Sequence, residues 1–241
     1  MYRTLKRCDK LTVSTESDFS CITQYIQNCT NWCWAVACWM VGEQFIRNNP
    51  VYNFRFIYDK ETVAESVVRL VDSNGLRLAE LEGIRTNIVS RKDGAFLLDP
   101  WQRLIVMNAN SEHPGLDGNW PGDDEAKERG IKYVITGQCD SHLVHVVSIG
   151  NFDSDKSILH KYYRQIRSAF AQNNYLIGNA VLYPDGVCHS FVLLDWTAED
   201  KILLYDPWDG HFGFYTAADV FCNGIAVPLG TGIIKWVQCV L

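Results

Sequence analysis

Val187-Cys188-His189-Ser190-Phe191-Val192-Leu193-Leu194-Asp195, then Trp196 to Asp200, then Lys201-Ile202-Leu203-Leu204-Tyr205-Asp206-Pro207-Trp208, forms two apolar runs around a short polar segment. That pattern predicts a β-hairpin. With Leu194 opposite Lys201, the antiparallel register sets His189 directly across from Asp206, their Cβ atoms roughly 5 Å apart. Pro207 has no N–H to give the ladder, so it ends the second strand and leaves Asp206 at the end of the sheet. An imidazole held beside a carboxylate keeps one tautomer, which a general base needs.

Working outward, Tyr175 to Tyr183 and a Pro184-Asp185-Gly186 turn lead into this hairpin, and His211 to Tyr215 and Ile233 to Val240 follow it. Together they predict an antiparallel meander. Upstream, from Asp155, an apolar stripe at Ile158, Leu159, Tyr162, Ile166, Ala169 and Phe170 keeps helical spacing until Asn173-Asn174. Ile131 to Thr136 and Leu143 to Ile149 read as a hairpin through Gly137 to Ser141. Residues 92 to 130 are dense in turn dipeptides, Asp123, Asp124 and Glu125 reading as a solvated loop and helix start, and Asp99-Pro100-Trp101 as a turn with a packed indole. Lys60 to Val71 and Leu78 to Ser90 read as amphipathic helices split by Ser73-Asn74-Gly75. Residues 1 to 31 are polar and expected to be irregular. The layout is α+β, with helices first and a sheet last. One domain over 1–241 is expected, helical over about 30–130 and sheet over about 131–241.

The run Cys33 to Ile46 is apolar enough for a core helix, with Thr30 and Asn31 as capping side chains ahead of it. Cys33 then falls in or beside the first turn. Unpaired N–H groups and the positive end of the helix dipole favour a thiolate there and pull a cysteine pKa of about 8.5 downward. Gln27, six residues earlier, is near enough to turn back. Its amide and the Cys33 N–H would share the charge on a carbonyl oxygen under attack.

The order Gln27, Cys33-Trp34-Ala35, His189, Asp206-Pro207 resembles the papain-like cysteine peptidases. Asn31-Trp32-Cys33-Trp34-Ala35 is similar to secreted bacterial effector proteases. His189 to Leu194 with Leu204-Tyr205-Asp206-Pro207-Trp208 is similar to the double-glycine leader peptidases of ABC exporters. The likeness covers residues 21 to 48 and about 156 to 241, and not the middle of the chain. It implies a papain-like fold in which the nucleophile helix and a helical lobe pack on a C-terminal antiparallel sheet. It also implies a peptidase with Cys33 as nucleophile, His189 as base, Asp206 as its orienter and Gln27 in the oxyanion hole. Two departures, the missing glycine-rich lead-in and Asp for Asn as third member, both point to the bacterial branch. A glutamine deamidase or transglutaminase-like acyl transferase would use the same triad. Similar domains also include toxins and delivered effectors with a cognate inhibitor or immunity protein.

Rival sites are weaker. His142 and His145, within a His142–Gly150 apolar run, fall on opposite faces of a strand and make a poor chelating pair. His113, His160 and His211 are expected in a loop, on a helix face and at a short strand start. Cys29, Cys33, Cys188 and His189 include no Cys-x-x-Cys, so no zinc is expected. No phosphate loop or His-Glu-x-x-His helix is present, and no cofactor is implied. A net charge of −6 argues against nucleic acid. The resemblance implies a protein or peptide substrate as the expected partner. Nine cysteines, several in apolar segments, read as reduced thiols of a cytoplasmic or similarly reducing compartment. No run approaches the ~20 apolar residues of a membrane span. The N-terminus lacks the apolar core of a signal peptide.

Overall fold

The computed structural model describes residues 25–27, 30–49, 51–52, 89–90, 96–97, 100–115, 119–150, 156–172 and 174–241. In chain order these form α1 (Cys33–Asn48), β1 (Val89–Ser90), β2 (Phe96–Leu97), α2 (Pro100–Ala109), α3 (Asp124–Thr136), β3 (Val146–Ile149) and α4 (Lys156–Ala171). Then come β4 (Leu176–Tyr183), β5 (Val187–Trp196), β6 (Lys201–Asp206), β7 (His211–Thr216), a π-helical turn (Asp219–Asn223), β8 (Ile225–Val227) and β9 (Gly230–Val240). The fold is α+β.

Seven strands make one antiparallel sheet in the order β3-β9-β4-β5-β6-β7, with β8 paired to β9. Strands β4 to β7 run as the expected meander. The last strand departs from it: β9 does not follow β7 at the edge but returns to lie between β3 and β4. Its length explains the placement, because an eleven-residue strand with Val237, Cys239 and Val240 fully buried needs a neighbour on each side.

Alternation along the strands sends side chains to two separate cores. Ile177, Val192, Leu194, Leu203, Tyr205 and Val240 join the core with α1, α2 and α3. Leu176, Phe191, Leu193, Ile202, Leu204 and Val237 face Ile166 and Ala169 of α4 and Val220 and Phe221 of the π-helical turn. The result is three layers, with helices on both faces of the sheet.

The middle of the chain differs from its sequence reading. Residues 131–136 are not a strand: they complete α3, whose Asp123 cap accepts from the Ala126 N–H at 2.7 Å and whose Gly137 ends it at φ 79°. The cap, the acidic first turn and a left-handed glycine together specify a helix and override the local apolar run. Val146–Ile149 consequently pairs with β9. Pro100 opens α2 within the stretch read as loop, where its missing N–H costs nothing. Trp101 is buried and stacks on Trp39 with ring centroids 4.7 Å apart. The helix expected over Lys60 to Val71 lies outside the described residues. So does Leu78 to Ser90 apart from its last two, 89–90, which are strand paired with Phe96–Leu97.

Candidate active site

Helix α1 begins at Cys33, with Trp32 as its cap residue and no side-chain cap. The capping expected from Thr30 and Asn31 is not made, because Asn119 takes both residues. The Asn31 N–H donates to Asn119 Oδ1 at 2.9 Å, and Asn119 Nδ2 donates to Thr30 Oγ1 at 2.6 Å. Trp34 Nε1 donates to the Trp120 carbonyl at 3.1 Å, so the segment around 119–120 braces the start of the helix. Cys33 is the first helical residue. Its N–H therefore belongs to the first turn, which has no partner within the helix.

The hairpin exists, but its register is not the expected one. Val192 pairs with Tyr205 and Leu193 with Leu204, and then a bulge shifts Asp195 to Leu203 and Trp196 to Ile202. Continued one step, the ladder sets Asp206 across from Phe191. His189 is two positions further along the same face, a diagonal neighbour within reach of a long side chain. Its Nε2 lies 2.7 Å from Asp206 Oδ1, which also accepts the Trp208 N–H at 2.8 Å. The pairing of imidazole and carboxylate is present despite the wrong register, because the expected and actual positions share a face.

Beyond Val192 the edge of β5 has no β6 neighbour, and Cys33 takes the vacated place. Its sulfur is hydrogen-bonded by the His189 ring and the Ser190 N–H. Since Nε2 faces Asp206, Nδ1 is the nitrogen left for Cys33. Cys33, His189 and Asp206 are 7%, 4% and 2% exposed, so all three interact with little water between them.

Burial by itself pushes the Cys33 thiol up, but the charge and hydrogen bond of His189, the Ser190 N–H and the charge of Lys127 outweigh it and bring the thiol below its ordinary value of 9.0. Burial alone would lower His189. The Cys33 charge and the Asp206 hydrogen bond instead raise it to about 10. Each charge stabilises the other, so the two groups favour the thiolate and the imidazolium together. Cys38, five residues along the helix, is pushed strongly up by burial, which the charge of Lys127 offsets only in part.

Gln27 is fully buried. Its N–H donates to the Pro207 carbonyl at 2.9 Å, next to Asp206, and its Nε2 donates to the Thr30 carbonyl at 2.7 Å, folding the amide back toward α1. All four expected residues thus gather around one strand end. Known protein families and curated proteins give no match to this chain.

Lys127 of α3 was not singled out by sequence. Its side chain is buried, 3.4 Å from Asp124 and 5.8 Å above the Trp236 ring, and its charge acts on Cys33. Nothing in a charged helix start distinguishes it from its solvated neighbours. Of the rival histidines, His211 comes nearest, as the cross-strand partner of Asp206 on β7. His142 and His145 are exposed in a turn before β3, His113 stacks on Trp120, and His211 opens β7. The side chain of His160 lies outside the described residues. Among the described residues, no group of three or more His, Cys, Asp or Glu is placed to hold a metal ion. No described helix is long and apolar enough to cross a membrane.

Proposed function

We propose that the chain is a papain-like thiol hydrolase that cleaves protein or peptide amides by acyl transfer. The observation that carries this reading is the His189 ring, hydrogen-bonded on one side to Cys33 and on the other, at 2.7 Å, to Asp206. The Cys33 thiolate attacks the amide carbonyl, and the carbonyl oxygen takes up charge beside the Cys33 N–H and the Gln27 amide. The imidazolium protonates the leaving amine, and neutral His189 then draws a proton from water as it attacks the thioester. Asp206 keeps the ring oriented through both halves. We further propose, from the sequence resemblance alone, that the chain acts as a delivered effector or toxin restrained by a cognate inhibitor.

A thiol-reactive acyl-analogue inhibitor is expected to label the wild type and Cys38→Ala but not Cys33→Ala. Equal labelling of the two variants would refute the assignment. Intact mass of a treated protein substrate identifies the reaction: two fragments for proteolysis, or a gain of about one mass unit, amide to acid, for deamidation. Expression that is toxic and becomes harmless with Cys33→Ala supports the effector reading.

A further inference from the structure

Lys127 is 4% exposed, a rare place for an ammonium, and the fold holds it from two sides. On the α1 side, the buried Cys38 thiol donates to the Lys127 carbonyl at 3.3 Å, and burial keeps that thiol protonated. The two helices approach closely there, since a Cβ on Gly130 would come within 2.8 Å of Cys38 Sγ. On the sheet side, Gln238 Nε2 donates to the Asp124 carbonyl at 3.0 Å, and Trp236 Nε1 donates to Asp124 Oδ1 at 2.8 Å. Lys127 Nζ shares that carboxylate oxygen at 3.4 Å and stands 5.8 Å from the centroid of the Trp236 ring.

The sheet register leads from this cluster to the nucleophile. Trp236 is the partner of Asn179, and Asn179 of Ser190, so the three form one row across β9, β4 and β5 on the face that packs against α1 and α3. Asn179 Nδ2 donates to Gln238 Oε1 at 3.3 Å, which ties the row to the start of α3. Ser190 ends the row, and its N–H donates to the Cys33 sulfur. Two strand spacings, roughly 10 Å, separate Trp236 from Ser190. The charged and titrating groups that bear on Cys33 from the elements around it are His189 and Asp206 of the sheet, Lys127 with its partner Asp124 of α3, and Cys38 of α1. Burial pushes the Cys33 thiol up, and the charges set against it are those of His189 and Lys127. His189, raised to about 10, is already charged throughout the acid range and has nothing further to give there.

We propose that Lys127 is a positioning residue, a second cation that the fold fixes between α1 and the sheet to hold the Cys33 sulfur as a thiolate at the acid end of its working range. The role deepens the proposed thiol chemistry and rests on it. Asp124, half-exposed and beside the ammonium, opposes the field that Lys127 sets up at the sulfur.

Alkylation of Cys33 by iodoacetamide against pH, in the full chain and with the Cys33 peptide quantified by mass, gives the midpoint of its ionisation. A unit charge at that range, in surroundings between water and a dry interior, moves a midpoint by about one pH unit. Lys127→Met keeps the length of the side chain and the carbonyl that Cys38 uses. It should raise the midpoint by about one unit and slow alkylation below it about tenfold. Lys127→Arg keeps the charge and should retain the wild-type profile. Asp124→Asn removes the opposing charge while still accepting from Trp236, so it should move the midpoint down. Lys127→Met and Lys127→Arg shifted alike would mean packing rather than charge and would overturn the role. So would Lys127→Met with the wild-type midpoint, or Asp124→Asn with a higher one. If Lys127→Met does not melt cooperatively, the profiles of Lys127→Arg and Asp124→Asn decide. A wild-type midpoint at or above the ordinary 9.0 overturns the thiol chemistry itself, whatever the variants do.

Discussion

At the scale of single residues, Cys33 and His189 depend on each other for their charges, and Asp206 decides how far the imidazolium persists. His189 is raised to about 10 from 6.5, so its contribution to stability is complete below pH 6.5 and is lost as pH climbs through about 10. Cys33 is lowered from 9.0, so its contribution is present above that value and is lost as pH falls through the folded one. Between the two folded values the ion pair stands, and kcat/KM should be bell-shaped over that window. Asp206→Asn removes the hydrogen-bonded charge that helps raise His189, so the alkaline limb should move down and turnover should fall about a hundredfold. Stability should drop by about 2 kcal/mol at neutral pH, the range for a hydrogen bond to a charged group, with the difference fading above pH 10. Rate profiles, an NMR titration of His189 and thermal melts across pH check the three parts.

Three of the four candidate residues were legible because each sits in a short signal of its own: an apolar run begins at Cys33, a strand begins beside His189, and Pro207 ends a strand after Asp206. Lys127 and Asn119 were not legible, since their roles depend on contacts with residues about ninety positions away.

At the scale of elements, α1 is the pivot, packed between α3 and the sheet. It approaches α3 closely enough that a Cβ on Gly42 would meet Val134 Cγ1 at 2.5 Å and Cβ at 2.8 Å. Alanine would raise helix propensity by about 1 kcal/mol. The overlap falls on a β-branched side chain with little rotamer freedom, and overpacking of that kind costs about 1–3 kcal/mol. Gly42→Ala should therefore destabilise by about 1 kcal/mol net and lower the melting temperature by about 2–4 °C. Calorimetric melts of the variant test this, and an unchanged or higher midpoint would mean that the helices separate freely. The same scale explains the register error. The bulge near Leu194 inserts one residue without a glycine to announce it, and the turn is set by Thr197, whose N–H donates to the Lys201 carbonyl at 2.8 Å. Alternation still reported the correct face, because the polarity pattern survives a two-residue slip. Helix α4 was legible from its stripe. Helix α3 was obscured by the turn residues before it.

At the scale of the whole molecule, the helical layer of α1 to α3 and the sheet meet at the short segment 25–27. The Tyr205 hydroxyl of β6 donates to the Tyr25 carbonyl, Gln102 Nε2 of α2 donates to the Ile26 carbonyl at 2.9 Å, and the Gln27 N–H donates to the Pro207 carbonyl at 2.9 Å. Three consecutive residues are thus tied to a strand, a helix and the turn after Asp206. The position of the Gln27 amide is a property of the assembled fold, which is why spacing could suggest its direction and not its anchorage. An oxyanion donor acts only in the transition state, so losing its position should lower kcat more than it alters the thiolate. Gln102→Ala removes the α2 tie without touching Cys33, His189 or Asp206. Turnover should fall about tenfold, short of the ~10²–10³ that deleting an oxyanion donor costs, while iodoacetamide alkylation of Cys33 keeps its rate and pH profile. Gln27→Ala should show the full loss in kcat with the same unchanged alkylation. A parallel fall in alkylation for both variants would mean that the segment holds the ion pair itself, and the role of Gln27 would then be to shape α1 rather than to receive the oxyanion.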